Sequence, residues 1–178
     1  MVNGWRWFAV KDGDDRARDL FNRHYSRIRY ADGRKPRLFV GPGEKMVLMT
    51  PEADALFVWR KFIDASGQQG VNCAVFRNES RHLSSELIRE ACELAWWRWP
   101  GERLYTYVNV QAVTSVNPGY CFKMAGWKAC GQTKWNKLLI LEMEPKHDTA
   151  TTHTGAHECD AAGVHSDVDR DAPRQVGA

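Results

Sequence analysis

Residues 107–131 read YVNVQAVTSVNPGYCFKMAGWKACG, and the order of residue types in this stretch restricts the fold more than any other part of the chain. Leu104, Tyr105, Tyr107, Val108 and Val110 form a nearly continuous apolar run, which suits a strand covered on both faces. Asn117-Pro118-Gly119 then halts pairing, because proline lacks an N–H and glycine admits backbone angles closed to other residues. Proline also suits the first position of a helix, so residues 120–125 are expected to form a short helix with Asn117 as N-cap, stopped by Gly126. An ordinary strand-helix-strand connection is the plainer alternative.

Upstream, residues 5–10 are expected to be a first strand. Asp14 and Asp15 then open a helix whose Ala17, Leu20, Phe21 and His24 or Tyr25 share a face. Residues 37–41 and 45–50 are expected to form a hairpin through Gly41-Pro42-Gly43. Residues 55–63 and 71–76 continue a meander of antiparallel strands. Residues 77–99 carry Leu87, Ala91 and Leu94 beside Ile88, Cys92 and Ala95 at helical spacing, with Ser84 as the expected N-cap. Two closing strands are expected at 127–132 and 135–143. The fold class is therefore α/β in the α+β sense, with a mixed, mostly antiparallel sheet.

With 178 residues, 43% of them hydrophobic, and 8 Trp, the chain can bury the core of one domain. Residues 1–144 are assigned to that domain. Residues 145–178 are assigned to a disordered tail, because they hold almost no large apolar side chain to offset the entropy of ordering. The tail has three basic and six acidic residues, so a chain total of +3 leaves the body at about +6. That balance favours a polyanionic partner or a phosphate-rich cofactor. The absence of a membrane-length apolar run and of a signal pattern points to the cytoplasm and away from a membrane partner.

The 5 cysteines (Cys73, Cys92, Cys121, Cys130 and Cys159) include no Cys-x-x-Cys pair. A disulfide framework and a thiolate zinc site are therefore not expected. Cys73 and Cys92 suit core packing, and Cys121 beside Tyr120 is the thiol nearest a candidate site. His147, His153, His157, Cys159 and His165 could take up a metal adventitiously, but a disordered tail offers no fixed ligand geometry, so no metal site is assigned.

The element order, together with the NPGYCFKMAGW segment, resembles the GNAT superfamily of acyl-CoA N-acyltransferases. The resemblance implies a three-layer fold in which a central strand pair splays and receives an acyl donor, acetyl-CoA or another acyl-CoA. It places the donor against Phe76, Arg77, Arg81, Ser84, Ser85 and Asn117, with Arg81 and Ser84, or Arg77 and Ser80, standing for the usual glycine-rich loop. Residues 77–99 contain no glycine. The donor end is expected opposite the nucleic-acid end of the splay. Tyr120 would protonate the leaving thiolate by analogy, and Asn109 would orient the acceptor.

Residues 21–27, FNRHYSR, are similar to the His-Tyr-Ser segment of phage-encoded Mom-like DNA-modification proteins. That likeness implies active-site roles for His24 and Tyr25, with His24 a base titrating near neutral pH. It implies a host-cell cytoplasm if the chain is phage-encoded. Arg23, Ser26, Arg27, Arg29, Arg34, Lys35 and Arg37, interleaved with Tyr25 and Tyr30, form the expected nucleic-acid face, DNA above all. The expected function is N-acyl transfer to nucleobases in DNA. The alternatives are an inactive nucleic-acid-binding module of the same shape and an acyltransferase acting on a small amine or a protein.

Overall fold

Period-two alternation decides which apolar residues meet which helix, because successive side chains of a strand point to opposite faces. The computed structural model describes residues 4–27, 30–63, 67–113 and 115–145. Its strand β3 (Ala55–Lys61) turns Leu56 and Val58 to one face and Phe57 and Trp59 to the other. On the first face they pack with Ala17 and Leu20 of helix α1 (Asp15–Asn22). On the second they meet Leu87, Ile88 and Ala91 of helix α2 (Ser84–Arg98) and Phe122 of helix α3 (Tyr120–Met124). Removing an aromatic from such a core, as in Phe57→Ala, costs about 3–5 kcal/mol. Two tryptophans also fix the second face by hydrogen bonds: Trp7 Nε1 donates to Leu87 O at 2.8 Å and Trp59 Nε1 to Ala91 O at 3.0 Å.

The remaining strands are β1 (Phe8–Val10), β2 (Glu44–Met49), β4 (Val71–Asn78), β5 (Leu104–Val108), β6 (Lys128–Gln132) and β7 (Leu139–Met143). Among the described residues, seven strands lie in one sheet of order β1-β2-β3-β4-β5-β7-β6, with three helices around it. Every neighbouring pair is antiparallel except β4 and β5. A parallel pair needs a crossover, and α2 supplies it. No helix among the described residues is long and apolar enough to cross a membrane.

The parallel pair is where the sheet opens. β4 and β5 are in register only at Val71 with Leu104, Asn72 with Tyr105 and Cys73 with Thr106. Beyond that point β4 stays paired to β3 as far as Asn78, and β5 to β7 as far as Val108. The facing edges of 74–78 and 107–108 have no strand partner on each other. Thr106 Oγ1 donates to Cys73 O at 2.9 Å at the last paired position.

Four local expectations are corrected. Residues 37–41 are not a strand, because Asp12 captures their donors: its Oδ1 accepts from Phe39 N at 3.0 Å and Val40 N at 3.2 Å. β2 pairs with β1 instead of with them. The N-cap position of α2 is Leu83, without a side-chain cap, and Ser84 is the first helical residue. Gly119, not Asn117, caps α3, with φ 75°. The backbone angle favours glycine there, and a Cβ, 2.6 Å from Leu141 Cδ1, would also have to displace that side chain. The last strand starts at Leu139, leaving residues 133–138 as a loop.

Candidate functional site

α1 ends one residue short of the histidine. Asp14 caps its start by accepting from Arg16 N at 3.0 Å and Ala17 N at 3.2 Å, and Ala17 and Leu20 bury its inner face. The chain then makes one further turn, His24 N donating to Phe21 O at 2.9 Å. That turn drives His24 down to 8% exposure and lays Tyr25 beside it, ring centroids 4.4 Å apart.

Both side chains reach into the opening of the sheet. Ser26 N donates to His24 Nδ1 at 3.2 Å, and Ser26 Oγ lies 2.7 Å from the same nitrogen. With Nδ1 accepting, the neutral ring carries its proton on Nε2. Burial, then the Arg77 charge, lowers the His24 pKa to about 4 against a smaller opposing effect of a hydrogen bond with the Phe76 backbone. His24 is therefore neutral at neutral pH and does not titrate there, contrary to the expectation for a base. Burial raises the Tyr25 hydroxyl, and a hydrogen bond with the Asn109 backbone acts the other way. Tyr25 thus stays a phenol and a donor. His24 thus faces the Phe76 backbone of β4, and Tyr25 the Asn109 backbone just beyond β5.

The expected donor residues adjoin this pair. Phe76 is half-buried, 5.3 Å from the Phe57 ring and 5.8 Å from that of Phe122. Arg23 grips Glu79 through two bonds of 2.8 Å, Arg77 Nε bonds the same carboxylate, and Arg77 Nη1 donates to Arg23 O at 2.6 Å. The Arg23 bond, followed by those from Arg77, holds the Glu79 carboxyl down to about 2 against some desolvation. Glu79 thus offsets one of the two guanidinium charges, and the end of α1 lies against the end of β4. Arg23, expected on the nucleic-acid face, and Arg77, expected at the donor, are therefore neighbours.

One asparagine organises the glycine-free loop. Asn78 Oδ1 accepts from Ser80 N at 2.9 Å and Ser80 Oγ at 2.7 Å, while its Nδ2 donates to His82 O at 2.8 Å and Ser84 Oγ at 2.9 Å. Arg81 is exposed beside the first turn of α2 and has no side-chain partner among the described residues, and the N–H groups of Ser84 and Ser85 belong to the start of that helix, unpaired within it. Sequence reading missed Asn78 and Glu79. The Arg-x-Glu-x-Arg spacing of 77–81 was the available signal for the second.

Other expected residues are placed differently. Asn109 Oδ1 accepts from Gln111 N at 3.0 Å and Ala112 N at 3.3 Å, so its side-chain oxygen closes its own turn. Asn117 Oδ1 accepts from Lys123 Nζ at 2.6 Å. Tyr120 starts α3 and is 55% exposed. Burial pushes the Cys92 thiol up to about 12 and the Cys73 thiol well above its usual range, as core cysteines require; Cys121 is also raised by burial.

The basic face is open. A cavity of about 640 Å³ beside α1 is lined by Arg18, Asp19, Phe21, Arg27, Arg34 and Lys35 among others. Tyr30 also lines it, with the Arg34 guanidinium 4.2 Å from its ring centre. Arg27 is anchored by Nη1 donating to Asn22 O at 2.7 Å. Arg37 is exposed next to Gly13 and does not line the cavity. Arg29, residue 114 and the tail histidines fall outside the described residues. No protein-family model matches the chain, and no curated protein and no solved structure matches it.

Proposed function

We propose that the chain is a GNAT-like N-acyltransferase whose acceptor is nucleic acid, DNA bases first. The observation that carries this is the seating of His24 and Tyr25, from the turn after α1, against the two backbones that part beyond Cys73 and Thr106. An acyl thioester lying in that opening would have its carbonyl against those N–H groups of 74–78 that face away from β3, which stabilise the oxygen as it gains charge. The acceptor amine attacks the carbonyl carbon, forming the N–C bond. The C–S bond then breaks, and the amine proton passes through solvent to the thiolate. Tyr25, held as a phenol, donates to the developing oxyanion or to the leaving sulfur, with Tyr120 at the rim of the same opening. Neutral His24 positions Tyr25.

The donor phosphates would fit the start of α2, where the N–H groups of Ser84 and Ser85 lie three and four residues after exposed Arg81. The acceptor's phosphodiester chain fits the cavity of Arg27, Arg34 and Lys35. A binding module with no donor is the second reading. In its favour, the cavity lies beside α1 and not in the opening, which His24, Tyr25 and the Phe76–Phe122 contact occupy.

Calorimetric titration with acetyl-CoA, followed by mass analysis of nucleosides from DNA incubated with protein and donor, decides between them. Saturable donor binding weakened severalfold by Arg81→Ala, with an acylated nucleoside, is the expected result. DNA binding without donor binding would leave the module.

A further inference from the structure

The loop between β6 and β7 has no role in the reading so far, yet it stands on the same edge of the sheet as the opening. Val108 at the end of β5 is in register with Leu139, and Leu139 with Gln132. Because β4 and β5 are parallel, the 133–138 loop therefore projects from the edge on which β4 ends. It lies one to two strand spacings, about 5 to 10 Å, from β5. The α1 turn with its basic cavity flanks the opening on one side, and this loop flanks it on the other.

The loop is closed and presents an aromatic ring outward. Thr133 N donates to Leu138 O at 2.9 Å, and Leu138 N donates back to Thr133 Oγ1 at 2.9 Å. Lys137 at φ 50° reverses the chain between them. Trp135 at the tip is 84% exposed, whereas Trp7, Trp59, Trp99 and Trp127 are buried. Lys134 Nζ lies 5.3 Å from the Trp135 ring centre, and no carboxylate occurs from 131 to 139. Trp97 is as exposed, but α2 carries it to the opposite edge of the sheet, away from the opening.

An outward indole flanked by two ammonium groups, on a pinned loop beside a site that must receive a base, has the chemistry of a stacking element for nucleic acid. We propose that the 133–138 loop is a wedge for duplex DNA: Trp135 enters the base stack beside the nucleotide turned into the opening, and Lys134 and Lys137 bind the flanking phosphates. This rests on the nucleic-acid acceptor reading. A base cannot be reached inside a duplex, and a stacking ring that fills its place lowers the cost of extrusion.

The test uses the full chain and labelled duplexes of about 20 base pairs, one fully paired and one with a central mismatch that lowers the unstacking cost, read by fluorescence anisotropy. The parent is expected to prefer the mismatched duplex by roughly tenfold, Trp135→Ala to bind both equally, and Trp135→Phe to keep most of the preference. Thermal midpoints should be unchanged, since the side chain packs on no core. A preference that survives Trp135→Ala overturns the wedge. So does an equal loss on paired, mismatched and single-stranded DNA, which would make the ring a general contact. Binding to vesicles containing phosphatidylserine that Trp135→Ala abolishes, with DNA affinity intact, assigns the loop to a membrane surface and overturns it too. A parent protein that binds no DNA strikes the acceptor reading itself, a result separable from the others because it needs no variant.

Discussion

The two basic regions beside the opening are built in opposite ways. From Arg77 to Ser84 nearly every polar group has a partner: Glu79 takes both Arg23 and Arg77, and Asn78 makes four hydrogen bonds that close the loop. Between Tyr30 and Phe39 the charges face solvent: Arg34 lies over Tyr30 with a single exposed ion pair, Nε to Asp32 Oδ2 at 3.5 Å, and Lys35 lines an open cavity. Similar residue counts thus give different electrostatics. A guanidinium gripped by two short bonds to a carboxylate offers few donors to a phosphate, whereas one in a single long, exposed contact can exchange it for a phosphate.

The largest effect should come from the tied side. His24→Ala should lower turnover by about a hundredfold through misplacement of Tyr25, and His24→Asn, which keeps an acceptor for Ser26 N, should restore part of it. Full activity in His24→Ala would remove the positioning role and with it the functional contrast between the regions.

Next in size is a pH effect. His24 has a folded pKa lowered to about 4 from 6.5, so the unfolded chain binds its proton first as pH falls. The stability this residue contributes is complete above about 6.5 and lost towards 4, on the order of 3 kcal/mol. Glu79, also lowered, contributes above its unfolded value near 4.5 and loses that contribution towards 2. Denaturant midpoints measured between pH 7 and 4 should therefore fall in the parent and flatten in His24→Asn. A parallel fall in both would exclude His24 as the cause.

Asn78→Ala should cost about 2 kcal/mol by leaving loop groups unpaired, while Arg34→Ala should stay within about 0.5 kcal/mol. Equal thermal shifts would erase the distinction between a bonded junction and an open flank. The smallest effect separates the arginines themselves. Arg34→Ala should weaken DNA binding alike across sequences and reduce the salt slope by about one ion, and Arg23→Ala should change that slope less. If Arg23→Ala changes it more, the Glu79 clasp opens on binding.

Much of the fold was legible. The alternation of 55–61, the helical spacing of 84–98 and the Asn-Pro-Gly break each placed an element within a few residues. The hairpin at 37–50 misled because two apolar runs around Gly-Pro-Gly give the same local signal whether or not they pair. Asp12, distant in sequence, took the donors of 39 and 40. The site was legible as residue types in 23–27. Its charge states were not, since the pKa of His24 depends on burial against β4 and on Arg77, neither of which is local.

By itself, the sequence determined most of the order of strands and helices and the concentration of positive charge in the body, because periodicity, turn chemistry and net charge are local or additive quantities. Only the tertiary structure decided that β4 and β5 part after three register pairs, that Glu79 ties Arg23 to Arg77, and that His24 is neutral. Those outcomes depend on distances between segments remote along the chain, and desolvation and ion pairing are set by those distances.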